Sequence, residues 1–317
     1  MNQKRIEQRG LWLGILINTI MAVSGITVFL ITDIEALFVD AYFTVITLVS
    51  GMVSIVISKV SSKKSQRFPD GLFVLEPIFS LCQSLLTIVL LSLSVVTVSV
   101  KAYRYFAFGE GQMMNVGPVL PYEMVMVCLS FTLSWFYSRQ NKKINNSSTM
   151  LLTETKGTLI DGIMSSGIGV AALLIFLIPV HSPLHFLLYT GDFFVTITLI
   201  AFTIKMPFQV IKLAFIEISG GVLQNKQVQQ KVEHIVRTNL ADDILVKSCV
   251  IYKTGMAYRV KVLINGTVNG DINLKGLAQQ KQKIVTALRH KFAFMNLDLV
   301  YDLSLIHISE PTRPEPI

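Results

Sequence analysis

Phe38-Val39-Asp40-Ala41-Tyr42-Phe43 and Thr158-Leu159-Ile160-Asp161-Gly162-Ile163 decide how this chain is read. Each stretch places one aspartate inside an apolar run long enough to cross a bilayer. A carboxylate at that depth costs about 3 kcal/mol or more, and it is retained where an ion or a proton needs a path. The two segments therefore point to a helical membrane protein with ion movement at its centre.

Working outward, the 317 residues are 52% hydrophobic and 15% charged, too apolar for an ordinary soluble enzyme. Uncharged or nearly uncharged runs cover 11–31, 36–57, 77–100, 116–137, 157–180 and 184–204. A span needs about 20 apolar residues, so the expectation is six transmembrane helices. Glu123 interrupts the fourth run, and Asp192 and Lys205 bracket a short sixth one. No cleavable leader is expected, because Lys4, Arg5 and Arg9 precede a run of full spanning length.

The net charge of +8 does not indicate nucleic acid, since the basic residues gather at the ends of apolar runs rather than along one face. Lys4, Arg5 and Arg9, then Lys59, Lys63, Lys64 and Arg67, then Arg139, Lys142 and Lys143, and finally Lys205 and Lys212 all fall on one side. That side is cytoplasmic by the positive-inside rule, and it holds both termini. Lys101 and Arg104 alone run against the pattern. Cys82, Cys128 and Cys249 are far apart and form no Cys-x-x-Cys pair, so they read as small buried apolar residues rather than a disulfide or zinc framework.

After Gly220-Gly221 the pattern changes to that of a small globular domain. Val228, Val232, Ile235 and Val236 recur at helical spacing. Val246 to Tyr252 and Tyr258 to Ile264 alternate like strands around Lys253-Thr254-Gly255. Leu274, Leu277, Ile284, Val285 and Leu288 mark a second helix, and Leu297 to Tyr301 a last strand. The expected order is αββαβ, a ferredoxin-like α+β domain on the cytoplasmic side. So small a domain is marginal alone, which favours a homodimer. The organisation is then a membrane domain over 1–220, a dimerisation domain over 221–302 and a tail over 303–317. That tail, from Leu303-Ser304-Leu305-Ile306-His307-Ile308, reads as translated sequencing adapter and is set aside from fold reasoning, with the natural chain expected to continue past Asp302.

Six spans with this tail domain resemble the cation diffusion facilitator family of metal/proton antiporters. The local match lies in Asp40, in Arg67-Phe68-Pro69-Asp70-Gly71, in Glu76-Pro77, and in Glu154 with Asp161-Gly162-Ile163-Met164-Ser165-Ser166. The resemblance implies a transport site of two residues one turn apart on the second span facing two more on the fifth, because such pairs project from one helical face. Carried over here, the positions are Asp40 and Thr44, then Gly157 and Asp161. Thr44 brings a hydroxyl, and Gly157 brings no side chain where the family often carries His. Glu154, two turns before Asp161, offers a replacement. Alternative readings stand beside each: Glu154 with Lys156 as a solvated helix start, Asp161 as a hydrogen bond to a neighbouring span, Asp40 as a carboxylate wetted by the outer loop.

The resemblance implies a proton-coupled efflux transporter in the cell membrane that carries divalent metal ions and needs no cofactor. Two close carboxylates shed a cation when they take up protons, which would supply the coupling. Oxygen ligands without His or Cys favour manganese, magnesium or ferrous iron over zinc; cobalt also stays open. The rival expectation is a non-transporting relative acting as a metal-responsive or scaffold partner. An enzyme is not expected: the chain carries no nucleophile with a base, no metalloprotease signature and no nucleotide loop. His181 and His185 read as loop residues, and His234 and His290 as helix-surface residues without a metal role.

Overall fold

Seven helices carry the N-terminal part of the chain in a computed structural model that describes residues 2–32, 35–110, 119–177, 186–223, 225–241, 244–267 and 274–301. The side chains of 31–43 lie outside that description. The adapter-like tail and the histidines at 181 and 185 also fall outside it. The helices are α1 (Asn2–Thr32), α2 (Glu35–Ser61), α3 (Leu75–Phe108), α4 (Val119–Lys143), α5 (Thr149–Leu177), α6 (Leu187–Thr203) and α7 (Lys205–Ile218).

Local chemistry sets their ends. Pro77 falls in the first turn of α3, where its missing N–H costs no helical bond. At the other end of α3, Gly109 adopts φ 69° and its N–H closes on the Tyr105 carbonyl, a left-handed cap that stops the helix. Between α4 and α5, Asn145 and Asn146 take φ 58° and 54°, and the Asn141 amide spans the turn with bonds of 3.1 and 3.2 Å to Ser148. Ser148 then caps α5 by accepting from the Leu151 N–H at 3.0 Å.

The sixth span differs from its expected extent of 184–204. The helix does not end near Lys205; it breaks at Ile204 and resumes as α7 to Ile218. Pro207 explains the break, because a proline ring clashes with the carbonyl four residues earlier, here Thr203. The stretch Tyr189–Ile218 is apolar enough as a whole to cross a membrane.

Among the described residues five helical stretches meet the length and hydropathy of a span: Gln3–Leu30, Leu75–Phe108, Val119–Lys143, Thr149–Leu174 and Tyr189–Ile218. The described part of α2 adds the apolar stretch Thr47–Ser61. Burial in this unit is inverted relative to a water-soluble protein. Trp12, Leu30, Val56, Leu93, Val96, Phe131 and Phe202 are exposed, whereas Ser54, Ser58, Ser130, Ser165, Thr158, Glu123 and Glu154 are buried. Apolar outer faces with polar residues turned inward suit a bundle solvated by lipid. Cys82 and Cys128 are also exposed, correcting their reading as buried residues.

Interior packing ties the helices in two places. Met21, Val119, Tyr122, Met126 and Ala172 join α1, α4 and α5. Leu91, Ile160 and Ile200 join α3, α5 and α6. Small residues bring α4 and α5 close: a Cβ on Gly162 would lie 3.1 Å from Ser130 Cβ.

The chain divides into two compact units, Met1–Ser219 and Gly220–Ile317. The second contains α8 (Lys226–Asn239), β1 (Ile244–Thr254), β2 (Ala257–Thr267), α9 (Leu274–Lys291) and β3 (Phe294–Tyr301). Asn225 caps α8, accepting from the N–H groups of Gln227 and Val228. The strands form one sheet in the order β1-β2-β3. β1 and β2 run antiparallel with Val250 opposite Lys261, while β2 and β3 run parallel with Val260 opposite Leu297, the crossover being α9. β1 runs through Thr254, two residues past its expected end at Tyr252, and the hairpin turns at Gly255 with φ 57°. Val232 and Val236 of α8, Ile284 and Leu288 of α9, and Val260, Val262 and Leu297 of the sheet share its core. Burial in this unit pushes the Cys249 thiol up to about 11, so it stays protonated and inert at neutral pH. His234 is exposed on α8, and the side chain of His290 lies outside the described residues.

Candidate ion site

Among the described residues the fifth helix carries a large set of buried polar groups, Thr149, Thr153, Glu154, Thr158 and Ser165. Asp161 sits in the interior of α5, and Ser130 of α4 donates a hydrogen bond to its Oδ2 at 2.9 Å. That contact realises the interhelical bond weighed above for Asp161, and it leaves the other carboxylate oxygen available. Glu154 lies nearer the start of the same helix and is 1% exposed, not a solvated helix end. Neither of its carboxylate oxygens has a hydrogen-bond partner. The Gln83 side chain of α3 faces this carboxylate with its amide nitrogen toward α5, and its own Oε1 is buried and unpartnered.

Gly157 stands between the two acids. A Cβ there would lie 3.8 Å from Gln83 Nε2, an ordinary contact distance. Thr44 of α2 is buried at 2% exposure, and α2 packs against α5. Asp40 lies one turn earlier on α2, with its side chain outside the described residues. Helical rise separates Glu154 from Asp161 by about 10 Å along the axis, since α5 begins at Thr149 and is regular through both. They share a face but not one coordination sphere, and the described residues hold no group of three or more His, Cys, Asp or Glu placed to share an ion.

One polar cluster escaped the sequence reading. Lys4 and Glu7 of α1 are 6% and 0% exposed, and Glu76 of α3 is 0% exposed. The Lys4 ammonium pairs with Glu7 and, at 2.7 Å, with Glu76. Ser58 and Ser148 donate to Glu7, and Ser61 donates to Glu76 at 2.7 Å. In the sequence Lys4 reads as a topological charge and Glu76, with Pro77, only as part of the family resemblance. The available signal was spacing: Lys4 and Glu7 share a helix face, as do Ser58 and Ser61. Asn18 of α1 is buried, with an unpartnered Nδ2.

The family model of the cation efflux transmembrane domain matches residues 11–218 of the chain. The chain belongs to the cation efflux family, the cation diffusion facilitators, whose members are transporters rather than enzymes. It is a multi-pass membrane protein whose class moves metal cations out across a membrane, and the metal ion is cargo. No curated protein matches the chain.

Proposed function

We propose that the protein is a proton-coupled divalent-cation antiporter with six spans, α2 being the sixth, and both termini in the cytoplasm of a cell bearing it in its plasma membrane. The observation that carries the reading is Asp161: a carboxylate in the interior of a spanning helix, held by one serine from α4 and with an oxygen to spare. In this reading Asp40 and Asp161 hold the ion and Thr44 adds a hydroxyl. Glu154 serves the same path at a separate position. A pair of carboxylates in a low-dielectric site is not stable fully ionised without a cation, so loss of the metal is matched by uptake of protons. Oxygen donors alone favour hard ions, manganese, magnesium or ferrous iron, over zinc. The Gly220–Ile317 unit pairs two copies of the chain, its core being small for independent stability.

The test is metal-dependent proton flux in liposomes with manganese, magnesium, iron, cobalt and zinc in turn. Flux is expected with the hard ions, is abolished by Asp161→Ala, and is not suppressed by equimolar zinc. Zinc outcompeting manganese overturns the metal preference. A folded protein that passes no ion favours the non-transporting relative, a reading that the empty position at Gly157 supports.

A further inference from the structure

We infer that Gln83 and Glu154 form a second cation-binding station, distinct from Asp161 and about two helical turns nearer the start of α5. The inference rests on the transport reading above. Three buried oxygens lie here without a hydrogen bond: both carboxylate oxygens of Glu154 and the amide oxygen of Gln83, whose nitrogen is turned to α5 and gives way to the oxygen by a half-turn of the amide. Buried acceptors with no donor are costly, and a buried carboxylate is worse unless a cation or proton neutralises it. The three are hard oxygen donors of the kind that hold manganese or magnesium, with water completing the shell. Gly157 leaves this side of α5 bare, and the Gln83 amide lies at ordinary contact distance from it.

Position gives the station its use. The basic Arg139, Lys142 and Lys143 place the α4–α5 turn in the cytoplasm, so Glu154 lies between the cytoplasm and Asp161. A cation leaving water meets Glu154 and Gln83 first and Asp161 about 10 Å further along the same helix face. Two weak sites in series let an ion enter without a single deep well to escape from.

Mn²⁺ alone, titrated into the full-length protein in nanodiscs and followed by electron paramagnetic resonance, tests this. Wild type is expected to bind two ions per chain. Glu154→Gln and Asp161→Asn are each expected to bind one, and the double variant none. Gln83→Leu is expected to weaken one of the two sites at least tenfold. The ion that Glu154→Gln still binds at Asp161 reports that this variant is folded; if it binds none, Gln83→Leu, which alters only α3, decides. Two ions retained by Glu154→Gln, or unchanged affinities in Gln83→Leu, overturn the station. A wild type with one site, lost in Asp161→Asn and kept in Glu154→Gln, removes the station and leaves the transporter reading standing. A wild type with no site removes both.

Discussion

Gly14 shows how tightly single residues fix this bundle. A Cβ there would lie 1.4 Å from the Tyr137 hydroxyl and 2.5 Å from its ring, and Tyr137 is 1% exposed. The ring has nowhere to retreat, because the same α4 turn carries Ser134, which bonds the Thr155 carbonyl of α5 at 3.0 Å. Gly14→Ala is therefore expected to destabilise by about 1–3 kcal/mol, the usual cost of overpacking, read as a lower melting temperature in detergent. Adding Tyr137→Phe to that variant removes the closest atom and is expected to restore part of the loss. A Gly14→Ala protein as stable as wild type would show that α1 and α4 do not approach here. Nothing in the sequence marked Gly14, since a glycine in an apolar run is ordinary in a span. Asp161, by contrast, was legible because a lone acid in such a run has few cheap explanations.

Between elements, the Lys4, Glu7 and Glu76 cluster binds the start of α1 to the end of α2, the start of α3 and the cap of α5. Two carboxylates face one ammonium, and Glu76 Oε2 has no hydrogen-bond partner. Removing the ammonium leaves two buried negative charges unopposed, whereas neutralising Glu76 leaves a balanced pair. Lys4→Met is expected to cost about 3–5 kcal/mol and Glu76→Gln much less, with Glu76→Gln partly rescuing Lys4→Met in the double variant. Thermal unfolding of the four proteins checks this, and equal losses from the two single variants would sink the charge argument. The cluster was hidden from a one-dimensional reading because its members lie up to 141 residues apart. Elements themselves were legible where a period repeats, as with Val232 and Val236 against Ile284 and Leu288 in the second unit. Their ends were not, because caps and breaks depend on single contacts, such as Pro207 pressing on the Thr203 carbonyl.

At the scale of the molecule the open quantity is the parity of its spans. Among the described residues five stretches meet the length and hydropathy of a membrane helix, and the described part of α2 contributes another apolar one, Thr47–Ser61. An odd count sends the two ends of the transmembrane unit to opposite sides, and an even count returns them to the same side. Charge supports the even count we propose: Lys59 at the end of α2 and Lys142 and Lys143 at the end of α4 fall on the side of the basic start of α1 only if α2 crosses. The helix is long enough, since its 27 residues reach about 40 Å against a hydrocarbon core of about 30 Å. On the proposed six-span topology Asp40 lies inside a true span, as the proposed ion site requires. Reporter fusions after Ile218 and ahead of Asn2 are expected to read as cytoplasmic, and a fusion in the α2–α3 loop near Lys63 as cytoplasmic too. If the loop fusion and the α1 end report opposite sides, α2 does not cross, Asp40 leaves the membrane, and Asp161 is left without the partner the antiport chemistry needs.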